Sequence, residues 1–220
     1  MTTHEGELTI TDPNADYTGL TRVTGTLIIE ADAQLPALES VGRGLIIEAD
    51  AQLPVLGSVG ANLIIRADAQ LPVLESVTGD LIVKADAQLP VLESVGGDLI
   101  VEADAQLPVL ESVGGGLIVK ADAQLPVLES VGGWLKVEGP GSVNAPKYLG
   151  RVFREIESDD HYALCRSEDG YYVAGCRGPW SADEALEHWR SPRPDNQSRA
   201  ASFVLAIERA EGMTKQEAQV

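Results

Sequence analysis

Between Gly25 and Gly132 an 18-residue unit is written six times in succession with few changes. Each copy carries Ala-Asp-Ala-Gln-Leu-Pro, from Ala31–Pro36 in the first to Ala121–Pro126 in the last. A Leu, a Ser and a Val follow at fixed offsets, as Leu38, Ser40 and Val41. A unit this short cannot bury its own apolar side. It becomes stable by stacking on its neighbours, so a fixed period near 20 residues predicts one coil of a solenoid per repeat. A globule folded around a single central core is excluded for this segment.

Within each unit the strand signal is Leu-Ile-Ile or Leu-Ile-Val, as at Leu27, Ile28 and Ile29, bounded by glycine and rich in β-branched residues. Alternation along a strand sends Leu27 and Ile29 to one side and Ile28 and Glu30 to the other. With Leu35, Leu38 and Val41 spaced by three, the expected inward set is Leu27, Ile29, Leu35, Leu38 and Val41. Pro36 suits a corner that needs no amide, and the junction glycines permit a tight return. This run of Leu35, Leu38 and Val41, then Gly42 and the next unit's Leu45 and Ile47, resembles leucine-rich-type repeats and the β-solenoid of receptor L domains. The likeness covers roughly Gly6 to Gly150. It implies a parallel β-solenoid with one strong sheet and a role in binding other proteins; it carries no activity.

The ends decay as capping coils should. Residues 1–24 keep Leu8, Ile10, Leu20 and Val23 but add a residue and Pro13, and residues 133–150 keep Leu135 and Val137 before Gly139-Pro140-Gly141. Irregular end coils block polymerisation through open strand edges. The expected fold class is mainly β: a parallel β-solenoid of about eight coils, six regular (25–132) and two capping, followed by a small α+β module over 151–220.

Charge and cysteine usage narrow the partners. The chain carries 34 acidic residues against 16 Lys and Arg, a net charge of −18. Residues 25–132 alone hold 16 carboxylates and 4 basic side chains. Direct nucleic-acid binding is disfavoured by that sign. The stretch Met1–Leu8 has no basic start or apolar run, and no segment approaches membrane-spanning length, so a cytoplasmic protein off the membrane is expected. Two cysteines, Cys165 and Cys176, suit a reducing compartment.

Three outward columns follow from the repeat. Ile28, Ile46, Ile64, Ile82, Ile100 and Ile118 form an apolar stripe whose neighbours in the caps are Thr9 and Lys136. Six aligned isoleucines reach the scale at which exposed apolar surface marks an interface. A second copy, the C-terminal segment or a foreign partner could cover it, and a closed homodimer is the leading expectation. Asp32, Asp50, Asp68, Asp86, Asp104 and Asp122 form an acidic ladder whose mutual repulsion needs compensation. The expected device is an Asx turn at each corner, each carboxylate accepting the amide two residues on; a calcium row is disfavoured because one carboxylate per coil is thin for that ion. Gln34 through Gln124 suit amide-to-amide hydrogen bonds along the stack.

In the C-terminal module, His161–Ser167 and Tyr171–Arg177 read as a hairpin turning at Glu168-Asp169-Gly170. Ser181-Ala182-Asp183-Glu184 is a capping box opening one helix, and Ala200, Phe203, Val204 and Ile207 mark a second. The text Tyr-Ala-Leu-Cys-Arg, Ala-Gly-Cys-Arg-Gly-Pro-Trp and Glu-Ala-Leu-Glu-His-Trp resembles a small uncharacterised phage or bacterial domain, which implies no activity. His161, Cys165, Cys176 and His188 are the one candidate zinc set, at spacings that match no zinc motif, so no metal or other cofactor is expected. No phosphate loop, nucleophile elbow or base-nucleophile pair is present, so no catalytic residue is named and an enzyme is not expected.

The expected function is a non-enzymatic acidic scaffold that binds protein partners and self-associates through the isoleucine stripe. A second class is a phage-type nucleic-acid mimic: the repeats place about one negative charge per 2.4 Å of axis, near duplex DNA's ~1.7 Å, which would draw a basic nucleic-acid-binding protein. The third is a small zinc module at the C-terminus.

Overall fold

The computed structural model describes residues 2–85, 87–138, 142–156, 164–174, 177–191 and 197–212. They fall into two compact units: Met1–Leu135 with Gly139–Gly150, and Lys136–Glu138 with Arg151–Val220. The three residues 136–138, expected in the second capping coil, group with the C-terminal unit.

The first unit is a parallel β-solenoid. Strands Leu8–Ile10, Leu27–Ile29, Leu45–Ile47, Leu63–Ile65, Leu81–Val83, Leu99–Val101 and Leu117–Val119 stack in order. Register is kept residue for residue, Leu63 over Leu81 and Ile64 over Ile82. The ladder is regular: Leu27 N–H donates to Gly44 C=O (2.9 Å), and Glu48 N–H to Ile29 C=O (2.8 Å). Instead of one strong sheet, the coil has three sides. Ser-Val strands from Ser40–Val41 to Ser130–Val131, preceded by Thr2–His4 and Leu20–Val23, make a second sheet of eight strands. Ala-Gln strands make the third side, as one sheet from Ala33–Gln34 to Ala87–Gln88 and another of Ala105–Gln106, Ala123–Gln124 and Val143–Asn144. These strands are two residues long, too short for an alternation to show in the sequence.

Packing follows the inward set. Leu27, Ile29, Leu35 and Leu38 are fully buried and Val41 is 1% exposed; the equivalents in later coils are buried too, except Val131 in the last, which is half-buried. Each such side chain contributes about 1.5–3 kcal/mol on burial, which holds the coils together although each is far too small to have its own core. Ala33 also points inward and is buried. At the proline corner Leu38 N–H reaches Leu35 C=O (3.3 Å). Pro36 is the second residue of that turn, where its fixed φ fits.

The C-terminal unit contains antiparallel strands Val152–Ile156, Leu164–Ser167, Tyr172–Ala174 and Arg177–Trp180, then helices α1 (Ala182–Arg190) and α2 (Gln197–Ala210). The expected hairpin is present, with Gly170 at φ 85° in its turn. Its second arm is shorter than expected and the chain doubles back as Arg177–Trp180. That strand is last in the order, and Pro179, which has no amide to donate, is tolerated on such an edge. The capping box is formed: Ser181 N–H donates to Glu184 Oε2 (2.8 Å) while Ser181 Oγ accepts from Glu184 N–H (3.4 Å). Tyr172, Leu186, Trp189, Phe203 and Ile207 pack together as a core. Among the described residues no helix is long and apolar enough to cross a membrane.

Candidate binding faces of the solenoid

Three outward columns run along the Leu-Ile face. In the middle, Ile28, Ile46, Ile64, Ile82, Ile100 and Ile118 are all half-buried, each pointing away from a core that its two neighbours enter. In the same row the N-terminal coil presents Thr9, which is exposed and registers with Ile28. Lys136 belongs to the C-terminal unit and is buried, at 6% exposure.

Beside the isoleucines stands a column of mixed sign: Glu30, Glu48, Arg66, Lys84, Glu102 and Lys120. Arg66 pairs with Glu48, and Glu102 sits between Lys84 (3.1 Å) and Lys120 (3.2 Å). The Lys84 hydrogen bond holds the Glu102 carboxyl below its ordinary range, with Lys120 adding to it. This column sums to zero charge, so the net −12 of residues 25–132 lies entirely elsewhere on the coils.

On the other flank a ladder runs that sequence reasoning missed. Asn62 Oδ1 accepts the Asp80 amide (3.0 Å), Asp80 Oδ1 the Asp98 amide (2.9 Å) and Asp98 Oδ1 the Gly116 amide (2.6 Å). The signal was available: the residue before the strand leucine is Asn or Asp in three successive repeats, and the next coil then supplies Gly79, Gly97 or Gly115.

The Ala-Gln face is different in charge and shape. Asp32, Asp50, Asp68, Asp104 and Asp122 are exposed; Asp86 lies outside the described residues. At Asp104 and Asp122 the bond formed is not the expected Asx turn. Asp104 Oδ1 accepts the amide of Asp122, one coil on (3.1 Å), and Asp122 Oδ1 accepts the Ser142 amide (3.0 Å) and hydroxyl (2.7 Å). In-register stacking brings the next coil's amide within reach, and at Asp104 and Asp122 that contact is the one formed. True Asx turns occur in the N-terminal coil, where Asp12 accepts from Asn14 N–H and Asp16 from Thr18 N–H, each at 2.9 Å. The repeat glutamines are exposed, and among the described residues the side-chain amide bond is formed at the end of the row, from Asn144 Nδ2 to Gln124 Oε1 (2.9 Å).

This side is grooved. A cavity of about 660 Å³ is bordered by Asp12, Asp16, Asp32 and Asp50, and one of about 640 Å³ continues it past Asp104; both share Asp68 and Gln70.

In the C-terminal unit two of the four zinc candidates, Cys165 and His188, fall among the described residues. His161 and Cys176 lie outside the described residues. Cys165 is buried, and burial, with Glu138 nearby, pushes its thiol up to about 12. A thiol held so far from ionisation is a poor nucleophile. His188 stacks on Trp180 at 4.6 Å. Among the described residues no group of three or more His, Cys, Asp or Glu side chains is placed to hold a metal ion. No family model, curated protein or solved structure matches the chain.

Proposed function

We propose that this protein is a non-enzymatic acidic scaffold that binds protein partners and associates with itself through the isoleucine column. The supporting observation is the division of charge. Two copies at −18 each repel, and on most faces an approach would set carboxylate against carboxylate. Of the two columns flanking the isoleucines, one sums to zero charge and is ion-paired from Glu48 onward, and the other holds two carboxylates in the six repeats, Asp80 and Asp98, so repulsion is lower on this face than on the aspartate row.

Six coils at about 4.8 Å and three residues at about 3.3 Å give a face of roughly 29 by 10 Å. That is well short of the ~800 Å² per partner of a standard interface, which places the association in the weak, concentration-dependent class. Sedimentation equilibrium across a wide concentration range is the test. The wild type is expected to rise toward twice the monomer mass, and the double variant Ile64→Lys, Ile82→Lys to stay monomeric. A double variant with the wild-type mass profile would remove the isoleucine column from the interface.

The grooved Ala-Gln face supports a second reading, capture of a basic nucleic-acid-binding protein by a row of carboxylates with no basic side chain among the groove's lining residues. Its test is salt-sensitive competition with duplex DNA for such a protein. Failure to compete at low salt ends it.

A further inference from the structure

We infer that the second copy docks on the isoleucine face with its stack of coils reversed, about a two-fold axis lying between Ile46 and Ile64. This rests on the self-association proposed above and specifies its geometry. With the strands of the two faces aligned, a closed two-fold dimer has two options. With the axis along the stack, each coil meets its own equivalent, and the charged column lies over the Asn/Asp column of the partner. Lys84 then faces Asp80, but Glu102 faces Asp98, and the two cancel.

With the axis along the strands, the stack reverses and the charged columns oppose each other. The register decides the outcome. Centred between Ile46 and Ile64, the arrangement sets Glu30 against Lys84 and Glu48 against Arg66, each occurring twice, with no like-signed pair in that column. The isoleucines pair as Ile28 with Ile82 and Ile46 with Ile64, and Thr9 of the N-terminal coil meets Ile100. Five of the six isoleucines are covered on each copy. The one like-signed pair, Glu7 with Asp98, falls at the two ends of the overlap in the outer column.

Other registers do worse. Full overlap of the six regular coils sets Glu48 against Glu102 and Arg66 against Lys84. A shift of one coil toward the N-terminus sets Glu48 against itself at the axis. A shift of one coil the other way opposes Glu30 to Glu102 and Arg66 to itself. Centring on Ile82 brings Lys84 against Lys84 and Asp80 against Asp80. Sheets packed face to face keep their strands within about 30° at ~10 Å, close enough for these long side chains to meet.

The experiment mixes two charge reversals. Glu30→Lys opposes lysine to Lys84, and Lys84→Glu opposes glutamate to Glu30, so each variant alone should dimerise about tenfold more weakly than wild type. Mixed together they form a heterodimer in which both contacts are again opposite in sign. Native mass spectrometry with one variant isotope-labelled should show heterodimer well above the statistical half. The single chain carrying both reversals should regain the wild-type dimer, which separates a geometric effect from a folding defect.

A wild type that stays monomeric at every concentration defeats the self-association reading itself. A dimeric wild type whose two variants mix statistically, or whose double variant is no better than the singles, defeats the reversed docking and leaves self-association standing.

Discussion

Replacing Gly97 by alanine tests the coupling between one coil and the next. A Cβ at Gly97 would fall well inside contact distance of Asp80 Oδ1, and at 2.8 Å and 2.9 Å from the Gly79 carbonyl carbon and the Asp80 nitrogen. The carboxylate can swing away, and doing so gives up its hydrogen bond to the Asp98 amide (2.9 Å). The backbone atoms cannot, because Gly97 N–H is bonded to Gly79 C=O (2.9 Å) and the strands on either side are in register. Overpacking of this kind costs about 1–3 kcal/mol, and an exposed charge-assisted hydrogen bond adds about 1. The sum, about 2–4 kcal/mol, corresponds to a fall in Tm of roughly 5–15 °C for a domain of this size. Thermal unfolding by circular dichroism measures it. A cycle with Asp80→Gly separates the parts: in that background the hydrogen bond is already gone, so Gly97→Ala should cost about 1 kcal/mol less. A fall in Tm under 2 °C, or full additivity in the cycle, would refute the claim that the Asp ladder and the glycine form one device.

Two further outcomes concern the C-terminal unit. Cys165, buried and with its thiol pushed up to about 12, should resist iodoacetamide at pH 8 until denaturant is added; peptide mapping that finds label on Cys165 in native protein contradicts the burial. Glu211 accepts from the Tyr172 hydroxyl and from Arg166 Nε (3.0 Å), and those partners hold its carboxyl below the ordinary 4.5. A lowered folded value means the contribution is fully present above pH 4.5 and lost as pH falls through that lowered value. Tyr172 is pushed up to about 12, by burial first and Glu211 second, so its share is present below pH 10 and lost as pH rises through 12. Denaturant titrations across pH should show both flanks, and Glu211→Gln should flatten the acid one.

Most of the fold was legible because the repeat states the same instruction six times. The inward Leu27, Ile29, Leu35, Leu38 and Val41 could be read from one unit by strand parity and spacing, and the outward Ile28 from the same parity. What escaped depends on contacts between coils. The sequence alone points each Asp carboxylate to a turn within its own corner, since a local partner is the default for aspartate. Stacking offers the amide one coil on, and Asp104 and Asp122 accept from it. The Asn62–Asp80–Asp98 ladder escaped for the same reason: its hydrogen bonds span 18 residues, and its trace in the sequence is a correlation between an Asx in one unit and a glycine in the next. The edge strand Arg177–Trp180 escaped because its proline reads as a stop within a hairpin arm.

The charge column shows why near-identity between repeats is informative where it breaks. Isoleucine is kept in all six units while its neighbour two residues on varies in sign. If β-propensity were the sole demand at the outer face, nothing would distinguish that neighbour from the invariant aspartate two residues further on. Instead the position beside the apolar stripe is ion-paired between coils from Glu48 onward, through Arg66 with Glu48 and through Lys84 and Lys120 with Glu102. The aspartate row on the next face is left with its charge intact. An acidic repeat therefore carries two electrostatically distinct sides from one template: an apolar stripe beside a charge-balanced column, and a grooved row of aspartates. On the proposed reading a second acidic chain would use the first side and a basic partner the second, on different residues.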